Sequence, residues 1–185
     1  MKHFAKIGIT LALIASIAAA ALAFINSVTA PKIAAYEAKV VEMALKEVAH
    51  DYSVGDKVVV EDDVTVTAMH PLIDGSDAVI GYILSLTGNG YGGPLTIMAS
   101  FMNDGSVLDA RLLTNSETPG LGKKAENSSY MDKFKETGGS TPVPQKKGEL
   151  GKEDADAVGG STITFTAVSK TLAYGSSYVK EMGAK

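Results

Sequence analysis

Near its start the chain carries a run of residues, 7–31, "IGITLALIASIAAAALAFINSVTAP", without a single charged side chain. At about 1.5 Å per helical residue, such a run is long enough to cross a hydrocarbon core of about 30 Å. Lys2 and Lys6 precede it, and no further Lys, Arg, Asp or Glu follows until Lys32. Positive charge on that side predicts a cytoplasmic N-terminus over 1–6 and an extracytoplasmic portion over 32–185. A cleavable signal peptide is the competing reading, because "ALA" at 21–23 resembles an A-x-A cleavage site. Against cleavage, the apolar run continues through Phe24, Ile25 and Val28, and a helical pattern resumes straight after Pro31. The expectation is a retained single-pass transmembrane helix over 7–31 in the cytoplasmic membrane.

Beyond the anchor, Ala34, Ala38, Val41, Leu45 and Val48 recur at helical spacing, and Glu42 and Lys46 form an i,i+4 pair off that stripe. An amphipathic helix docking on the exported domain is expected, with Pro31 either kinking the junction or starting the second helix. The period then changes to two. Val64 and Val66 alternate with threonines; Ile80, Tyr82, Leu84 and Leu86 share a face, as do Leu95, Ile97, Ala99 and Phe101; "VLDARLL" follows at 107–113. Asn103-Asp104-Gly105 between the last two runs signals a hairpin. His70, ahead of Pro71, reads as a loop residue. "KKAENSSYMDKFKETGG" predicts a short surface helix ending at Gly138-Gly139, and "STPVPQKKGELGKED" a connection too polar for the core. Phe165, Val168, Leu172, Gly175, Val179 and Met182 predict a closing amphipathic helix. The fold class is therefore α+β: a mostly antiparallel sheet with flanking helices, preceded by one N-terminal transmembrane helix.

Composition removes several kinds of chemistry. There is no cysteine, so thiol catalysis, disulfides and thiolate metal sites are excluded. His3, His50 and His70 have no ligand spacing for zinc or haem, so no metal site is expected. The net charge of −4 argues against nucleic acid as a partner. No Ser/His/Asp arrangement, P-loop lysine or carboxylate dyad is present. Glu117 and Asp156 read as structural or recognition residues rather than acid–base pairs.

What remains is three glycine-rich stretches: "GNGYGGP" at 88–94, "NSETPGLGKK" at 115–124 and "DAVGGSTIT" at 156–164. Each has a purely structural account. The first is a wide turn, the second a Pro-Gly turn with proline at its second position, and the third a helix start with Ser161 or Thr162 as N-cap. The third also suits a phosphate. A helix N-terminus offers free N–H groups and the positive end of the dipole, and Gly159 and Gly160 remove Cβ atoms that would obstruct a bulky group.

In this order and behind such an anchor, the three stretches resemble the FMN-binding domain family. That family includes the G subunit of the Rnf electron-transport complex and the C subunit of the sodium-translocating NADH:quinone reductase. The similarity also covers the "NSVTAPKIAAYE" membrane exit and "GYGGPLTIMASFMNDGSVLDARLL". The short length and the "TAPKIAA" exit favour the Rnf subunit. The resemblance implies FMN joined through its phosphate to a threonine by a dedicated flavin transferase that recognises D-x-x-[S/T]-G-A-T. Asp156, Gly160 and Thr162 hold the matching positions, with Thr162 the acceptor; Thr164 falls outside it. Gly159 and Ser161 depart from the pattern, but both are small and leave the hydroxyl accessible. The resemblance also implies that Glu117, Thr118, Pro119, Gly120, Leu121 and Gly122 form a loop against the isoalloxazine ring. Leu121 would lie on the ring face, with Tyr91 nearby. The function implied is a membrane-anchored flavoprotein subunit relaying electrons to and from other membrane subunits of an Rnf complex, without a protein acid or base of its own and not catalytic alone. Alternatives are the quinone reductase subunit, an exported flavoprotein reductase, and an exported binding or scaffold domain without cofactor.

Overall fold

The computed structural model describes residues 2–183; Met1 and residues 184–185, the outer ends of the predicted 1–6 and 32–185 segments, lie outside the described residues. The chain divides into two compact units, Met1–Val41 and Glu42–Lys185. The first unit consists of helix, the greater part of α1 (Lys2–Ala49). Its large apolar side chains, from Phe4 to Val28, are exposed, and the helix is long and apolar enough to cross a membrane. Pro31 lies inside α1 and neither ends it nor starts a second helix. The alanines around it favour helix strongly enough to absorb one missing N–H.

In the second unit a six-stranded antiparallel sheet has the order β1 (Ser53–Val54), β3 (Val66–Ile73), β4 (Val79–Asn89), β5 (Pro94–Met102), β6 (Val107–Thr114), with β2 (Val58–Val59) also pairing β3. His70 is a strand residue opposite Ile83, not the expected loop residue, and its Nδ1 lies 3.1 Å from the Gly55 carbonyl. Pro71 explains the divided edge. Its missing N–H interrupts the ladder, so β1 pairs with 72–73 and β2 with 68–69, while the Pro71 carbonyl accepts from Gly55 N–H at 2.9 Å.

Each face of the sheet buries a core. On one, Leu84, Leu86, Leu95, Ile97, Ala99 and Phe101 pack with Phe165, Val168, Leu172 and Val179 of the closing helix. Ile80 leaves this alternation. It is skipped between the Leu72–Gly81 and Ile73–Val79 pairs, and this bulge turns it toward the opposite core. That second core joins Ala44, Val48 and Ala49 of α1 to Leu72, Ile83 and Met98. Of the predicted stripe on α1, Val48 is buried and Leu45 partly so, whereas Ala34, Ala38 and Val41 are exposed. Docking is confined to the helix's last turns.

The segment after β6 departs from the expected surface helix. Residues Gly122–Glu126 form a 3-10 turn, α2 is only Ser128–Met131, and Asp132–Phe134 is again 3-10. Asn127, with extended backbone, breaks the run. Ala125, Tyr130, Met131 and Phe134 are buried in the core, Phe134 stacking on Phe165 with ring centroids 5.4 Å apart. The 140–154 connection is largely exposed, yet it inserts Val143 into the core and runs into an unforeseen helix, α3 (Lys152–Ala157). The chain closes with α4 (Thr162–Gly183).

Candidate functional site

The three glycine-rich stretches converge at the start of α4. The first is the β4–β5 turn, in which Gly90 N–H donates to the Gly93 carbonyl at 2.8 Å. The second contains the expected Pro-Gly turn. Leu121 N–H donates to the Thr118 carbonyl at 3.2 Å, and Gly120 at φ +77° takes the left-handed position that a type II turn requires. In the third, Ser161 stands immediately before the helix, and its carbonyl accepts the first helical hydrogen bond, from Phe165 N–H at 2.8 Å. The N–H groups of Thr162, Ile163 and Thr164 lie ahead of that bond and have no intrahelical acceptor.

Between these segments lies a cavity of about 500 Å³. It brings together Tyr91, Glu117, Thr118, Leu121 and Gly122 with Gly160, Ser161 and Thr162 from the sequence-predicted set. Pro119, Gly120 and Gly159 are not in its lining. Ile163 and Thr164 are, and sequence reasoning assigned neither to the site. Ile163 had a signal: it is an apolar residue off the buried stripe of α4. Large apolar surface is open around the cavity, with Tyr91 70% exposed, Ile163 57% and Leu121 46%.

The hydroxyls at the start of α4 have separate environments. Ser161 is buried and donates to the Val158 carbonyl at 2.9 Å, so it occupies the cap position without bonding the helix N–H groups. Thr164 is buried and donates to Glu117 Oε2 at 2.8 Å. Thr162 is exposed, and its hydroxyl makes no hydrogen bond among the described residues. Beneath this turn, burial pushes the Tyr130 phenol up to about 12, and its hydroxyl has no hydrogen-bond partner among the described residues. Two ammonium groups flank Gly159. Lys124 Nζ donates to its carbonyl at 3.3 Å, and Lys147 Nζ lies 3.7 Å from where a Cβ on Gly159 would stand. Asp156 is exposed near the end of α3, with its carbonyl accepting from Gly159 N–H at 3.0 Å.

An α+β domain with an open, part-apolar cavity at a helix N-terminus defines a ligand-holding module. Residues 90–175, which supply the cavity, match the FMN-binding domain family. Residues 1–48 match the RnfG N-terminal region. The chain is similar to the G subunit of the proton-translocating ferredoxin:NAD(+) oxidoreductase complex of Clostridium ljungdahlii, 32% identical over 91 residues, which are 49% of each chain. It is also similar to the G subunit of the ion-translocating oxidoreductase complex of Cereibacter sphaeroides, 37% identical over 100 residues, or 51% of this chain and 45% of the relative. The match thus spans about half the length of these relatives. With the G subunit of the ion-translocating oxidoreductase complex of Methanosarcina acetivorans it is 27% identical over 183 residues, 96% of this chain and 95% of the relative. In fold it resembles the crystal structure of NqrC from Shewanella oneidensis, with a TM-score of 0.50 at 16% identity over 68% of this chain and 69% of the other.

The residues present fit an FMN. A volume of about 500 Å³ suits a cofactor. Tyr91, Leu121 and Ile163 offer apolar surface for a flat ring, while the open N–H groups of α4, with Lys124 and Lys147 nearby, suit a phosphate.

Proposed function

We propose that the chain is a membrane-anchored flavoprotein subunit that holds one FMN in this cavity and relays electrons within an ion-translocating ferredoxin:NAD⁺ oxidoreductase of the Rnf type. The FMN is joined by a phosphoester bond to Thr162, placed there by a flavin transferase. One observation carries this reading: of the hydroxyls of Ser161, Thr162 and Thr164 around the start of α4, that of Thr162 is exposed at the cavity and unengaged, while Ser161 and Thr164 are buried and bonded within the protein.

Bound FMN supplies the one- and two-electron chemistry. The open start of α4, together with Lys124 and Lys147, compensates the phosphoryl charge. Leu121, Tyr91 and Ile163 shield a ring from water on one side while leaving an edge open to a partner subunit. Helix α1 anchors the domain, with Lys2 and Lys6 on the cytoplasmic side and the FMN-binding domain outside. Covalent attachment suits that location, since a dissociated cofactor would be lost by dilution. Neighbouring membrane subunits, rather than a diffusible substrate, deliver and remove the electrons. The similarity along nearly the whole Methanosarcina acetivorans relative, together with the matching RnfG N-terminal region, favours this complex.

The full chain made together with a flavin transferase is expected to fluoresce as a flavoprotein after denaturing electrophoresis, and Thr162→Ala to lose that fluorescence while keeping its circular dichroism. A wild-type band without flavin fluorescence would overturn the covalent assignment.

A further inference from the structure

All three glycine-rich stretches meet one carboxylate. Glu117 is only 4% exposed, yet it lines the cavity. Its Oε1 accepts from Gly92 N–H at 3.2 Å, and its Oε2 accepts from the Thr164 hydroxyl at 2.8 Å. A Cβ on Gly90 would collide with Oε1, and one on Gly122 with Oε2. Glycine stands at both positions because the carboxylate occupies the space a side chain would need. The acid therefore ties the β4–β5 turn, its own loop and the first turn of α4 into one wall.

That wall does not by itself require a charge. The corresponding amide would offer an oxygen to one donor and an N–H to a reoriented Thr164 hydroxyl. Burying a carboxylate is costlier than burying an amide, and Glu117 makes no ion pair among the described residues. The nearby lysines are engaged elsewhere: Lys123 Nζ lies 3.6 Å from Glu126, and Lys124 donates to Gly159. Both donors to Glu117 are neutral. Packing explains the shape of this residue and leaves its charge without a structural use.

We propose that Glu117 is a positioning residue whose fixed negative charge at the cavity wall lowers the reduction potential of the flavin held there, an inference that rests on the function proposed above. Taking up two electrons with one proton leaves a flavin ring singly negative, and taking up two protons leaves it neutral. A fixed negative charge across a poorly hydrated wall opposes the first outcome, so electrons are held less tightly. The donors from Gly92 and Thr164 aim the carboxylate while cancelling only part of its field.

The test is a potentiometric titration of the flavin-loaded full chain in detergent, using dithionite and mediator dyes, on wild type, Glu117→Gln, Glu117→Asp and Thr164→Val. Glu117→Gln is expected to shift the midpoint to more positive values, and Glu117→Asp, which keeps the charge, to stay on the wild-type side. Thr164→Val, which removes a donor from the carboxylate, is expected to shift it more negative. Equal midpoints for the Gln and Asp variants would overturn the proposal and leave Glu117 a loop pin. If Glu117→Gln does not fold, an unshifted or more positive Thr164→Val decides against it in the same way. Wild-type protein without flavin would instead overturn the underlying function, an outcome separate from flavin present with unmoved potentials.

Discussion

Side chains one and two residues apart at the start of α4 live in different chemistry, and mutation should separate them. The Thr162 hydroxyl is solvent-facing and unbonded, so Thr162→Ala is expected to change unfolding free energy by no more than about 0.5 kcal/mol. Thr164 donates to a buried carboxylate, so Thr164→Val is expected to cost about 1–3 kcal/mol, as urea denaturation would read. Equal costs would contradict the division of roles drawn here. The glycines and the helix start were legible in "DAVGGSTIT". The difference between Ser161, Thr162 and Thr164 was not, because Glu117, far back in the sequence, fixes Thr164, and the Val158 carbonyl fixes Ser161. A partner 47 residues back, as Glu117 is for Thr164, leaves no local pattern.

At the scale of elements, α4 supplies both the main core and the turn that carries Thr162. Phe165, one turn along, is fully buried and meets Phe134 and Tyr130. Phe165→Ala is expected to cost about 3–5 kcal/mol and to loosen the cavity with the core, measurable by thermal unfolding and by exchange of the 161–165 amides. The end of α1 is held electrostatically as well. Glu47 pairs with Arg111 at 2.6 Å, and the buried Asp109 lies 3.2 Å from His50 and 3.3 Å from Lys135. The hydrogen bond from the Arg111 guanidinium holds the Glu47 carboxyl below its ordinary 4.5. A depressed carboxylate stabilises the fold above its unfolded value and loses that contribution as pH falls through the folded one. The stability difference between wild type and Glu47→Gln should thus be level above pH 4.5 and shrink below it. Because Glu47 is half exposed, the difference should not exceed about 1 kcal/mol. The hairpin at 103–105, the long strands and α4 were readable from period and turn chemistry. The buried 122–134 turns were not, since charged residues outnumber the apolar anchors Tyr130, Met131 and Phe134 and no stretch is long enough to show a helical period.

The whole molecule combines an apolar helical unit with a folded unit that begins at Glu42. The boundary matters, because Ala44, Val48 and Ala49 complete the second core while the exposed turns before them do not. A chain starting at residue 42 is expected to be monodisperse without detergent and to unfold cooperatively. One starting at residue 51 uncovers Leu72, Ile83 and Met98 and should aggregate or lose several kcal/mol, by about 25 cal/mol per Å² of apolar surface exposed. Size-exclusion chromatography and calorimetry distinguish the two. The long apolar helix was the most legible feature of the sequence because length and absence of charge suffice to define it. Where the docking stripe actually begins depended on the sheet it meets. The central claim is that this molecule carries its redox group on one threonine. The most direct measurement is tandem mass spectrometry of the tryptic peptide 153–170 from chain produced with its flavin transferase. The account predicts an added mass equal to FMN less one water, located by fragmentation at Thr162. An unmodified peptide, or the same mass on Ser161 or Thr164, would contradict it.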